Sequence, residues 1–120
     1  MPSLLLNDTT LIDGSGRDPR SHTSVLVEDG RIARIGAAGS IAAPDGVRGI
    51  DCGGRTLMPG LTDAHVHLGA VAAGANPAPE SHVSYVMKVA ENIRIALDEG
   101  FTTVRDAGNL DPAYALAVEM

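Results

Sequence analysis

The first sixty residues alternate short apolar or β-branched runs with turn residues, a pattern typical of a small β domain. The runs are residues 4–6, 9–12, 24–28, 31–35 and 47–51. Asp29-Gly30 separates two of them, and this dipeptide tolerates the positive φ angles of a type I′ hairpin turn. Pro59-Gly60 forces a turn that ends the section. The pattern predicts a small β domain over residues 1–58.

After this turn the pattern changes to α/β. Residues 61–68 are extended in character, and residues 69–79 have the composition of a mobile loop, which we expect at the entrance of a cleft. Residues 81–99 predict a helix that Ser81 caps and Gly100 ends. Its apolar residues recur at spacings of three and four: Val83, Val86, Met87, Ala90, Ile93 and Leu97.

A β-branched run at residues 101–105 predicts the next strand. Asp111-Pro112 then predicts the start of a second helix, with aspartate as the cap and proline at the first helical position. The order strand, helix, strand indicates two parallel strands joined by a right-handed crossover. Two parallel strands with one covering helix do not make a stable sheet alone, so we expect this part to belong to something larger.

Length, charge and cysteine content exclude several classes of protein. A complete (β/α)8 barrel needs about 250 residues, and this sequence has 120. The formal net charge of −6 disfavours binding to nucleic acids and to anionic membranes. The single cysteine excludes an internal disulfide, and the sequence has no apolar stretch of about 18 residues that could span a membrane. We therefore expect a cytoplasmic protein with no nucleic-acid or membrane partner.

The candidate chemistry lies at the end of the predicted strand 61–68. Residues i and i+2 of an extended chain point to the same side with Cα atoms about 6.6 Å apart, so His65 and His67 can both reach one metal ion. The alternative is two histidines that share a strand face without a ligand role, and an isolated pair leaves both interpretations open. The glycine-rich loop that follows favours the metal, because barrel enzymes place reactive groups at the carboxyl ends of their strands.

Four segments resemble sequence motifs of the amidohydrolase superfamily, in the branch that contains imidazolonepropionase-like and prolidase-like hydrolases. They are LMPGLTDAHVHL at 57–68, DGRIARIG at 29–36, the stretch 49–60 and GFTTVRDAG at 100–108. The resemblance covers residues 4 to 108. It implies an α/β fold with a β part, in which residues 1–58 form an N-terminal β-sandwich segment and residues 59–120 form the first βα units of an incomplete TIM-type (β/α)8 barrel.

The resemblance also implies roles for individual residues. His65 and His67 would ligate a divalent metal, with zinc as the expected ion and one or two ions per site. Asp63, Arg105 and Asp106 would lie beside the metal ligands or near the substrate. Alternatives remain open, because Asp63 could be a turn residue at the strand end, and Arg105 and Asp106 could form an ion pair that only fixes the loop.

The activity implied is hydrolysis of an amide C–N bond by metal-activated water, in a small-molecule amide such as a dipeptide or an N-acyl amino acid. One alternative is a cyclic amide hydrolase of the imidazolonepropionase type, and another is a non-catalytic metal-binding or interaction module. We expect no catalytic residue within these 120 residues and no hydrolase activity from them alone. A second polypeptide or a missing C-terminal part would complete the barrel, and we expect the complete enzyme to be a homo-oligomer.

Overall fold

The computed structural model describes residues 3–69, 81–108 and 110–118. Within it the chain divides into two compact units, Met1–Pro59 and Gly60–Met120. Neither helix described here has the length and apolarity needed to cross a bilayer.

The first unit contains one five-stranded sheet. Its strands are β1 Leu4–Leu11, β2 Arg20–Glu28, β3 Arg31–Ala37, β4 Arg48–Asp51 and β5 Thr56–Leu57. The order is β3-β2-β1-β4, with β5 also paired to β1. Pairs β1–β2 and β2–β3 are antiparallel, whereas β4 and β5 both run parallel to β1.

Local chemistry explains the β2–β3 hairpin and corrects the prediction for β1. Asp29 and Gly30 have φ angles of 50° and 74°, as a type I′ turn requires, which confirms the predicted turn. The sequence suggested two separate runs on either side of Asn7-Asp8, but β1 is one strand with a register shift between Leu6 and Thr9. Asp8 takes a φ of 54° there, so the polar pair forms a bulge within the strand instead of ending it.

The core of this sheet is small and aliphatic. Leu5, Leu26 and Ile41 are buried against one another, and the half-buried Val47 packs against them. Thr9 is also buried, and its hydroxyl donates a hydrogen bond of 2.8 Å to the carbonyl oxygen of Thr23. The buried hydroxyl is therefore satisfied across the β1–β2 pair.

The second unit has the order strand, helix, strand, helix that the sequence predicts. Its elements are β6 Leu61–Val66, α1 His82–Asp98, β7 Phe101–Asp106 and α2 Ala113–Val118. The strands β6 and β7 are parallel, from Leu61 opposite Phe101 to Val66 opposite Asp106. The fold class, α/β with a β part, is confirmed. The predicted loop at 69–79 lies outside the described residues except for Gly69.

Capping residues set both ends of α1 and the start of α2, as predicted. The Ser81 side chain accepts a hydrogen bond from the backbone N–H of Ser84, and Gly100 follows α1 with a φ of 92°. The Asp111 carboxylate accepts from the backbone N–H of Ala113 at 2.9 Å, at the start of α2.

The inward face of α1 includes only part of the apolar pattern that predicts the helix. Val89 is fully buried, and the other residues that lose exposure are Tyr85, Val86, Asn92, Ile93 and Ala96. Of the six apolar residues whose spacing predicts the helix, four are exposed: Val83, Met87, Ala90 and Leu97. The helix that the spacing predicts is present, but α1 carries apolar residues on two faces, and spacing alone does not say which face packs.

Candidate metal centre

The two histidines lie side by side at the carboxyl end of β6. His65 belongs to the strand, His67 is the first residue after it, and both are exposed. Their ring centroids are 5.1 Å apart and the ring planes meet at 78°. Two imidazoles on one tetrahedral ion, each with a metal–nitrogen bond of about 2.0 Å, have centroids about 5 Å apart. The separation therefore fits two ligands of a common ion.

A third ligand is not found in the part of the chain that the structure describes. Within residues 3–69, 81–108 and 110–118, no group of three or more histidine, cysteine, aspartate or glutamate side chains is arranged to hold a metal ion. Zinc is almost always bound by at least three protein ligands. The pair of histidines fits as part of a metal site and does not complete one.

Asp63 acts on the backbone beside the first histidine. Its carboxylate oxygen Oδ1 accepts a hydrogen bond of 2.9 Å from the backbone N–H of His65. The side chain is thereby held next to the strand backbone at the base of the imidazole. This contact is the local one expected of a turn residue at a strand end, and it also restrains the chain that carries His65.

Asp106 joins the ends of the two parallel strands. One carboxylate oxygen accepts from the backbone N–H of Leu68 at 2.7 Å, and the other accepts from the backbone N–H of Gly108 at 2.8 Å. The pairing of Val66 with Asp106 brings these groups together. In the described part of the chain, no ion pair links Arg105 to Asp106, and the Arg105 side chain is exposed.

Gly108 lies directly against the second histidine. A Cβ atom added to Gly108 would overlap Nδ1 of the His67 ring, well inside van der Waals contact. The φ angle of Gly108 is not in the left-handed region, so the need for glycine here is steric. The imidazole of His67 therefore rests on bare backbone at the end of β7.

Asn92 is a polar residue of this region that sequence reasoning missed. It lies on the inward face of α1, and its amide Nδ2 donates a hydrogen bond of 2.6 Å to the carbonyl oxygen of Leu68. The signal in the sequence was a polar residue between Val89 and Ala96, in line with the face that packs. That signal could be recognised only if the face of α1 that packs against the strands was already known.

An apolar cleft of about 510 Å³ also lies in the second unit, between α1, β7 and α2. Its lining includes Ile93, Phe101, Val104 and Tyr114. The Tyr114 hydroxyl is buried without a hydrogen-bond partner among the described residues, and burial raises its pKa. The one carboxylate in the lining, Asp106, already accepts from two backbone N–H groups, and the described lining is mainly apolar packing surface.

Comparison with known proteins assigns the family. The chain is 36% identical over 111 residues to a dihydroorotase of Geobacter sp. strain M21, across 92% of this chain and 23% of that protein. It is 44% identical over 66 residues to an imidazolonepropionase of Mycolicibacterium smegmatis, across 55% of this chain and 16% of that protein. A crystal structure of a prolidase complexed with N-methylphosphonate-L-proline matches 98% of this chain and 28% of its own, with a TM-score of 0.82 and 28% identity.

The chain belongs to the amidohydrolase superfamily. The resemblance drawn from the sequence motifs is thereby confirmed. No protein-family model matches the sequence. This amidohydrolase chain spans about a quarter of the length of the dihydroorotase it matches.

Proposed function

We propose that His65 and His67 are two ligands of a divalent metal ion, zinc by preference, in an enzyme that hydrolyses an amide C–N bond. The observation that carries the proposal is the 5.1 Å separation of the two rings at the carboxyl end of a parallel strand, in an amidohydrolase chain. Imidazole nitrogen is a preferred zinc ligand, and strand ends of this kind are where barrel enzymes hold reactive groups.

In the proposed reaction, the residues of this chain bind and orient the metal ion, and they do not exchange protons with the substrate. When bound, a divalent ion supplies a Lewis acid and lowers the pKa of water to about 7. His65 and His67 would hold it, and Asp63 restrains the backbone of His65 through a hydrogen bond of 2.9 Å. Both rings are exposed on the described surface, which leaves space for further ligands and for a substrate.

The remaining metal ligands and the general base are proposed to come from residues outside this sequence. Two imidazoles leave zinc short of ligands, and the chain spans 23% of the dihydroorotase it matches. A later part of the same protein or a second polypeptide would supply them. Either source would also pair with the outer edges of β6 and β7, which pair only with each other among the described residues.

The proposed substrate is a dipeptide or an N-acyl amino acid. Similarity to a prolidase structure that holds a phosphonate of proline supports this class. A cyclic amide is the second candidate, and it is supported by similarity to a dihydroorotase and an imidazolonepropionase. Specificity in barrels of this kind is set by loops at the carboxyl ends of all the strands, and the described residues include two such strands, β6 and β7.

Metal content and activity of the protein at its full natural length test the proposal. We expect purified protein to contain a divalent metal by mass spectrometry, to lose activity with a chelator and to regain it with zinc. The double variant His65→Ala/His67→Ala is expected to lose both metal and activity. His82→Ala, which removes an exposed histidine at the start of α1, is the matched control and should keep both. Unchanged metal content in the double variant would refute the proposal.

Turnover of a panel that contains dipeptides, N-acyl amino acids and cyclic amides separates the two substrate classes. Hydrolysis of the linear amides with no turnover of the ring compounds supports the first candidate. The reverse result supports the second. Absence of hydrolysis from a metal-loaded protein on every amide in the panel would contradict the proposed reaction.

A further inference from the structure

We infer that Asn92 and Asp106 are positioning residues for His67, and that they act together by clamping the peptide of Leu68. This inference rests on the proposed metal-binding function of His67 and concerns two residues whose described hydrogen bonds go to backbone groups and not to either imidazole. It assigns a role in the metal site to a residue of α1, 24 positions away from Leu68 in the sequence.

Leu68 is held from both sides of its backbone. Its N–H donates to the Asp106 carboxylate at 2.7 Å, and its carbonyl oxygen accepts from Asn92 Nδ2 at 2.6 Å. Its side chain is buried. Fixing the donor, the acceptor and the side chain of one residue leaves its backbone little freedom, and the backbone of Leu68 continues directly into that of His67.

The same carboxylate also fixes the surface on which the His67 ring rests. The second oxygen of Asp106 accepts from the backbone N–H of Gly108 at 2.8 Å, and Gly108 lies against Nδ1 of His67. Asp106 therefore sets the chain that carries the imidazole and the backbone that supports it. Asn92 adds the connection to α1, so that strand ends and helix share one hydrogen-bonded unit.

The position of Asn92 on α1 indicates that its role is the hydrogen bond to the Leu68 carbonyl. It shares the inward face of α1 with Val89 and Ile93, where an apolar side chain would pack at no polar cost. Placing an amide there costs free energy unless it is hydrogen-bonded. The carbonyl of Leu68 is the partner that offsets this cost.

Loss of the clamp should act on metal affinity. Groups that orient a ligating histidine typically contribute a factor of about 10 to 100 in metal affinity. We expect that factor because metal–ligand distances tolerate changes of only about 0.2 Å. The strands and α1 should remain folded, since the packing of Val89 and Leu68 does not depend on the amide.

The test uses the protein at its full natural length with Asn92→Leu, which keeps the packing and removes the donor, and with Asp106→Asn. Arg94→Gln is the matched control on the same helix, because Arg94 pairs with Glu91 and Asp98 on the exposed side. Zinc affinity is measured by competition with a chromophoric chelator. We expect both test variants to bind zinc about 10 to 100 times more weakly and the control to stay within about twofold of the parent protein.

A second measurement does not depend on metal. In metal-free protein with labelled histidine, the Cε1–H resonance of His67 should shift or broaden in Asn92→Leu and stay unchanged in Arg94→Gln. A parent protein that binds no divalent metal ion would overturn the proposed function, and the resonance would still test the clamp. An unchanged His67 resonance, or parent-like zinc affinity in Asn92→Leu, would overturn the inference. Asp106→Asn covers the case in which Asn92→Leu does not fold.

Discussion

Replacing Gly108 with alanine should weaken metal binding while leaving the protein folded. The added Cβ would overlap Nδ1 of His67, so either the backbone after β7 or the imidazole must move. The backbone is held by the hydrogen bond from Gly108 N–H to Asp106. The exposed ring of His67 is free to rotate toward solvent, and we expect it to be the group that yields.

The size of the effect follows from the overlap. Relieving it requires a separation about 1 Å greater between Cβ and Nδ1, to reach ordinary van der Waals contact. That displacement exceeds the tolerance of about 0.2 Å for a metal–ligand distance. Metal affinity should fall by a factor of at least about 10 to 100. The free energy of unfolding should fall by less than about 1.5 kcal/mol, the cost of an off-rotamer side chain.

Chelator competition and urea unfolding of the protein at its full natural length measure the two quantities. Gly49→Ala is the neutral control, since nothing lies within 4 Å of its added Cβ. Gly60→Ala is a second control, in which stability should fall and zinc affinity should not. Its Cβ would overlap the Cβ of Thr102, which rotation cannot move, so it should cost about 1 to 3 kcal/mol of stability and leave the zinc affinity of the folded protein unchanged.

A zinc affinity of Gly108→Ala equal to that of the parent protein would refute the reasoning, because it would mean that the His67 ring does not rest on Gly108 in the metal-bound state. Equal losses of zinc affinity in Gly108→Ala and Gly60→Ala would refute it as well. That result would trace the effect to general destabilisation of the β6–β7 pair.

Other residues give predictions that equilibrium unfolding checks. Leu26→Ala removes a side chain with no exposed surface from the first sheet and should lower the free energy of unfolding by about 2 to 5 kcal/mol. Ser81→Ala removes the cap of α1 and should cost about 1 kcal/mol, whereas Ser81→Asp, which keeps an acceptor, should cost less. The Arg94 guanidinium donates to Glu91 and lowers the pKa of that carboxyl. A carboxyl whose pKa is lowered in the folded state stabilises the protein at pH values above its ordinary pKa of 4.5, and this stabilisation is lost as the pH falls through the folded-state pKa. Glu91→Gln should therefore lose less stability than the parent protein on acidification below about pH 4.5.

The elements of the fold were predictable because their signals are local. The hairpin at Asp29-Gly30 depends on two residues that accept positive φ, and α1 is bounded by Ser81 and Gly100. The pair His65 and His67 was predictable because an extended chain places i and i+2 on one side. Each of these inferences uses residues within one element or one turn of one another.

The remaining features depend on contacts between elements. The packed face of α1 could not be chosen from apolar spacing, because Met87 and Leu97 fit a helical stripe as well as Val89 does. The contact of Asn92 with Leu68 and the close approach of Gly108 to His67 both join residues more than 20 positions apart. Their prediction needs the relative placement of helix and strands, which local patterns do not supply.

The pairing of β1 has a consequence for how the chain folds as it is made. On one side of β1, the strands β2 and β3 follow closely in the sequence. On its other side, β1 pairs with β4 and β5, whose residues lie 44 and 46 positions downstream of their partners in β1, as in Leu4 with Arg48 and Thr10 with Thr56. During synthesis the hydrogen-bonding groups along that side stay exposed until residue 57 has left the ribosome. Nascent chains should therefore be prone to association through β1 for most of the translation of the first unit, and slow elongation there should lower the yield of soluble protein.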